Sequence, residues 1–225
     1  GREAALNIVG RRSAQAEDLA QLERLLLKDP DTRRQSDVAL RKASYALAVA
    51  RYDEAEEAAN AARSFARESG SQIDEAQALQ RVGRLLWQQG RVAEAQAPLS
   101  EALELAQHHA EPQVVAEILY DLCASALYRS DYEQGIDYLN GARQIYALSQ
   151  NLQGEIRCLT TAAYIAYQTG NYEDAIVQSD AALGEIRKLG WRYAESHSLA
   201  MIGNAAFDLG DFAAAETHHL RALAI

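Results

Sequence analysis

The stretch VARYDEAEE, residues 49–57, returns as QQGRVAEAQ at 88–96, RSDYEQGI at 129–136, QTGNYEDAI at 168–176 and DLGDFAAAE at 208–216. Its pivot residues, Tyr52, Val92, Tyr132, Tyr172 and Phe212, fall 40 residues apart each time. A fixed period of this length marks an array of one supersecondary unit, each copy burying its apolar face against the next. The expected fold is an all-α array of antiparallel helix-turn-helix repeats. Such an array offers surface for holding other molecules rather than a pocket for chemistry.

Aligning the copies by period separates constrained from free positions. The first helix of the unit carries Leu79, Leu119, Leu159 and Leu199 in one column. Four residues on lies a small column, Ala43, Gly83, Cys123, Ala163 and Gly203, and four further a bulky one, Leu47, Trp87, Leu127, Tyr167 and Phe207. Spacings of i, i+4 and i+8 describe one helical face. The small column lets a neighbouring helix approach and the bulky column fills the space beside it. At the turn stand Gly90, Gly170 and Gly210, where a helix end needs positive φ; Ala50 and Ser130 replace them in two copies. The second helix opens with acidic residues such as Asp53-Glu54 and Glu173-Asp174, which suit the positive end of the helix dipole. Its inner face holds Ala55, Ala95, Gly135, Ala175 and Ala215, then Ala62, Ala102, Ala142, Ala182 and Ala222. A second loop, around Gly70, Ala110–Pro112, Gln150–Asn151 and Gly190, leads to the next copy.

These columns resemble the tetratricopeptide repeat. Its succession of small residue, bulky residue, turn glycine, aromatic, alanine, bulky residue and alanine reads here as Gly83, Leu86, Gly90, Val92, Ala95, Leu99 and Ala102. A later copy reads Ala163, Ala166, Gly170, Tyr172, Ala175, Ser179 and Ala182. The resemblance runs from about residue 36 to 225 and implies a right-handed superhelical solenoid. It departs from the family in its period, 40 rather than the usual 34, and in lacking most of the closing prolines. The longer period is similar to the repeat arrays of large bacterial ATPase-type transcription regulators. The expected division is a degenerate N-terminal repeat at 1–35 and five repeats at 36–71, 72–111, 112–151, 152–191 and 192–225. In the first segment a helix is expected to end near Gly10, and AQAEDLAQLERLLLK at 14–28 to form a second that Asp29-Pro30-Asp31 breaks. The closing RALAI has no polar capping helix after it, so the native chain is expected to continue.

The 225 residues carry a net charge of −10, which argues against a general nucleic-acid binder. Residues 1–51 hold ten Lys or Arg against seven Asp or Glu, net +3, and the rest 12 against 25, net −13. Such ends suit contact with neighbouring domains or a second copy. Apolar runs long enough to span a membrane are lacking. Two cysteines make no disulfide framework, so a cytoplasmic setting is expected.

Catalytic and metal chemistry find little support. A GxxxxGK phosphate loop is missing, and the lysines are three: Lys28, Lys42 and Lys188. Cys123 sits in the small packing column, and Cys158 has no basic cluster beside it. His108-His109 and His218-His219 are adjacent pairs, which diverge by about 100° on a helix and cannot easily share one ion. No cofactor, metal or catalytic residue is therefore expected. In the resembled family the first helix lines a concave groove. Carried onto this chain, the lining positions are Gln77, Gln80, Arg84 and Gln88; Glu117, Tyr120, Ala124 and Tyr128; Arg157, Thr160, Tyr164 and Gln168; and His197, Ala200, Asn204 and Asp208. They differ from copy to copy where the packing columns do not. Tyrosines supply rigid amphipathic area and arginines carboxylate-matching forks. Of the Lys/Asn set by which some relatives clamp a C-terminal carboxylate, only Asn204 falls in a matching column. The expected role is a protein- or peptide-binding scaffold within a larger signalling or transcription-regulating protein, with self-association through the C-terminal end as a further contact. A small-effector sensor and an architectural oligomerisation element are the alternatives.

Overall fold

The computed structural model describes residues 2–27, 31–109 and 111–225, and every regular element among them is an α-helix. After α1 (Arg2–Leu26) come α2 (Thr32–Ala48), α3 (Tyr52–Ser69), α4 (Gln72–Gln88), α5 (Val92–His108) and α6 (Pro112–Tyr128). These are followed by α7 (Tyr132–Leu148), α8 (Leu152–Gln168), α9 (Tyr172–Lys188), α10 (Arg192–Asp208) and α11 (Phe212–Leu223). From α2 onward a helix begins every 20 residues, so two helices span one 40-residue sequence period.

The turns explain the regularity. Gly70, Gly90, Gly170, Gly190 and Gly210 all adopt positive φ, and so do Ala50, Ser130 and Gln150. At all of these but Ser130 the chain reverses by a Schellman pair of hydrogen bonds. At Gly90, its N–H donates to the Trp87 carbonyl while the Arg91 N–H reaches back to Leu86 at 2.9 Å. At Ala50 the same pair of bonds forms without a glycine. Asp31, Ser71, Asp131, Asn151 and Asp211 then cap the next helix by accepting from a backbone N–H three residues on.

The N-terminal segment corrects the sequence reading. α1 runs unbroken through Gly10, because an isolated glycine costs a helix only about 1 kcal/mol and no apolar pivot follows it to seat a turn. The expected break at Asp29-Pro30 and the residue Ala110 lie outside the described residues. α2 starts at Thr32, four residues before the expected boundary, where Asp31 accepts from the Arg34 N–H at 2.9 Å.

The chain forms two compact units, one ending at Arg129 and the other beginning at Ser130. In the N-terminal unit α2 pairs with α3 and α4 with α5, α1 lies on α2, and α2, α4 and α6 stand side by side. In the C-terminal unit α8 pairs with α9 and α10 with α11, α7 lies on α8, and α8 neighbours α10. Alanine columns let the helices close on one another. Ala55, Ala62, Ala95, Ala102, Ala142, Ala175 and Ala182 are wholly buried, whereas Ala222 is half-buried. At Gly83 a Cβ would stand 2.4 Å from Leu99 Cγ, and at Gly154 2.4 Å from the buried ring of Tyr146. Cys123 and Cys158 are both buried, in line with packing.

Candidate functional site

In the N-terminal unit the odd-numbered helices after α1 cover one side and α2, α4 and α6 present the other. A chain of polar contacts crosses this second face. The Arg84 guanidinium forks onto Asp121, with Nε 2.9 Å from Oδ1 and Nη2 2.9 Å from Oδ2, and Nη2 also reaches Glu117 Oε2 at 3.2 Å. Gln80 Nε2 donates to Asp121 Oδ2 at 2.7 Å and its Oε1 accepts from Arg81 Nη1 at 2.7 Å. Arg81 Nε donates to Ser44 Oγ at 2.8 Å, which donates in turn to the Leu40 carbonyl at 2.8 Å. The path ties α2 to α4 to α6.

The electrostatics differ sharply between the two arginines. Burial would depress Arg84, but its ion pair and hydrogen bonds with Asp121, followed by Glu117, outweigh that and raise its pKa. Burial pulls Arg81 down to about 10; the like charge of Arg84 adds to this, and Asp121 and Glu117 only partly offset it. Bidentate pairing of this kind fixes geometry as well as charge.

Of the residues expected to line a groove, Gln80 is a correction: it is 2% exposed, a connector inside the network. Arg84, Gln77, Gln88, Glu117 and Tyr120 are half-buried, and Tyr128 is 61% exposed with its ring 5.7 Å from that of Trp87. In the C-terminal unit Arg157 and Thr160 are half-buried, and the Thr160 hydroxyl donates to carbonyls of its own helix, Ile156 and Arg157. Tyr164 is 39% exposed and accepts from Gln168 Nε2 at 2.7 Å. His197, Asn204 and Asp208 are exposed, with Asp208 accepting from the Tyr167 hydroxyl at 2.7 Å.

Sequence reading missed Arg81 and Asp121. Asp121 carried a signal: it is the one charged residue between Glu117 and Arg129, and it stands 37 residues after Arg84, one period less one helical turn. A carboxylate on the apolar stretch of a helix that packs on its neighbours is costly unless paired.

Two segments of this chain match the tetratricopeptide repeat. They are residues 76–109, spanning most of α4 and α5, and residues 196–225, spanning most of α10 and α11. Among solved structures, BtubC (BKLC) from P. vanneervenii superposes with a TM-score of 0.77 at 18% identity, over 94% of this chain and 87% of that one. A Rap protein complexed with competence and sporulation factor gives 0.76 at 13%, over 95% and 70%. Aspartyl phosphate phosphatase F from Bacillus subtilis gives 0.73 at 14%, over 93% and 67%. Likeness at these identities establishes the helical-repeat fold. No curated protein sequence matches the chain. Among the described residues no helix is long and apolar enough to cross a membrane.

Proposed function

We propose that the chain is a non-catalytic scaffold that binds a protein or peptide segment on a first-helix face, that of α2, α4 and α6 in the N-terminal unit or that of α8 and α10 in the C-terminal unit. The observation that carries this reading is the contrast of roles within each face. Packing columns are spent on the core, while in the N-terminal unit Tyr128 stands exposed on α6 and Asp121 and Glu117 hold the half-buried Arg84 in place, and in the C-terminal unit Tyr164 stands exposed on α8. Rigid amphipathic rings beside an oriented polar framework bind at low ordering cost, because the entropy loss falls mainly on the ligand. The structure of a Rap protein in complex with competence and sporulation factor supports the reading by analogy of fold. In its finer form the proposal takes residues 36–225 as five repeats of a cytoplasmic regulator similar to the ATPase-type transcription regulators.

A random-peptide display selection on the 225-residue chain tests it. Enrichment of a consensus that Tyr128→Ala or Tyr164→Ala weakens supports the reading; selection of no consensus, or one indifferent to both substitutions, overturns it. Self-association is the second reading, favoured by exposed Phe207, Phe212, Leu220 and Leu223 on α10 and α11. A monomer at high concentration in light scattering removes it.

A further inference from the structure

A cleft of about 410 Å³ opens in the N-terminal unit between the C-terminal half of α1, α2 and α4. It sits at the lower end of the roughly 300–1,000 Å³ range of small-ligand sites. Arg81 and Ser44 line it together with Leu19, Leu22 and Leu40, so one wall is apolar and one carries a cation.

The repeat shows what that cation lacks. Ser44 and Arg81 are 37 residues apart, and so are Arg84 and Asp121. The two pairs are one relation displaced by a copy. In the later pair a guanidinium meets a carboxylate, and in the earlier one it meets a hydroxyl. Both acids near the network, Asp121 and Glu117, are ion-paired to Arg84. Arg81 bonds only to the neutral Ser44 and Gln80, and among the described residues no carboxylate pairs with it. A largely desolvated cation whose bonded partners are neutral, with Asp121 and Glu117 only partly offsetting its burial, is an under-compensated charge.

We propose that this cleft binds a carboxylate with an apolar tail, the carboxylate pairing with Arg81 and the tail lying on Leu19, Leu22 and Leu40. A doubly charged phosphate is disfavoured because Asp18 and Asp37 also line the cleft, Asp37 already being paired with Arg41 at 2.9 Å. The chemistry is shared by a free organic acid and by the C-terminus of a peptide. The inference rests on the N-terminal unit alone and stands apart from the peptide-groove reading, since Tyr128 and Tyr164 do not line the cleft.

Isothermal titration of the 225-residue chain with sodium hexanoate, N-acetyl-dileucine, its C-terminal amide and sodium phosphate is the test. Saturable binding of one or both carboxylates is expected, with the amide and phosphate weaker. Arg81→Gln loses that binding by on the order of tenfold or more, the usual weight of a charge-assisted pair. Ser44→Asp does the same from the other side, since it places a carboxylate beside Arg81 in the charge-reversed form of the next copy's Arg84–Asp121 pair, and it raises the melting temperature. It also keeps the test open should Arg81→Gln fail to fold. Hexanoate alone binding names a free acid as the ligand, and acetyl-dileucine alone a peptide end. The proposal falls if neither carboxylate binds, if the amide or phosphate binds as tightly, or if folded Arg81→Gln or Ser44→Asp binds as the parent does.

Discussion

The faces of α4 and α6 in the N-terminal unit and of α8 and α10 in the C-terminal unit use the same repeat positions for different purposes. Arg84 and Asp121 form a two-pronged bridge between α4 and α6. Eighty residues on, the same two positions hold Tyr164, exposed, and Met201, half-buried. Gln80 donates across helices to Asp121, while its counterpart Thr160 bonds back to its own helix. Yet the helices begin at the same interval and turn by the same bonds in both units. The backbone of the repeat therefore tolerates either an ionic bridge or an uncharged pair at this contact. What varies is the surface it presents.

The most severe way to break this comparison is to remove one side of the bridge. Asp121→Ala leaves the Arg84 fork with Glu117 alone and strands Gln80; urea unfolding should show a loss of about 3 kcal/mol. Arg84→Tyr with Asp121→Met installs the residues of the C-terminal unit and should recover the parent stability to within about 1 kcal/mol. A double variant as unstable as Asp121→Ala would show that the two contacts are not interchangeable.

Next in size is a test of sameness. Ala102→Leu in α5 and Ala182→Leu in α9 should each cost about 1–3 kcal/mol by overpacking, as both alanines are wholly buried. Ala222→Leu, in the same column but half-buried, should cost less than about 1 kcal/mol. Equal melting temperatures for all three would deny that burial sets the difference.

The smallest expected effect sharpens the turns. Ala50→Gly and Gln150→Gly, one in each unit, relieve a left-handed conformation at a non-glycine residue. The relief exceeds the added freedom of the unfolded chain, so each should stabilise by about 0.5–1 kcal/mol in thermal melts. Gly90→Ala should lose a similar amount.

The turns and the packing columns were legible because a closing turn and a close helix contact admit few residues, and every copy must solve the same problem. Gly83 under Leu99 leaves no space for a Cβ, whereas Gly154 under Tyr146, equally tight, stands in no small column and was not legible. The unbroken α1 was not legible, since a single Gly10 satisfies both a turn and a helix interior. Nor was the burial of Gln80, because a position that varies between copies reads as surface whether it faces solvent or a neighbour.

Periodicity by itself determined the all-helical repeat, the place of each turn from Ala50 to Gly210 and the alanine seams. Backbone sterics and close packing act locally and identically in each copy, so they write themselves into columns. Tertiary structure alone decided that Arg84 is spoken for by Asp121, that Gln80 is a buried link and that Arg81 lines a cleft while bonding, among the described residues, to Ser44 and Gln80 rather than to a carboxylate. A pairing between two helices needs complementary residues in one place only. Even where the contact recurs one copy apart, at Ser44–Arg81 and Arg84–Asp121, the residue types change and leave no column to read.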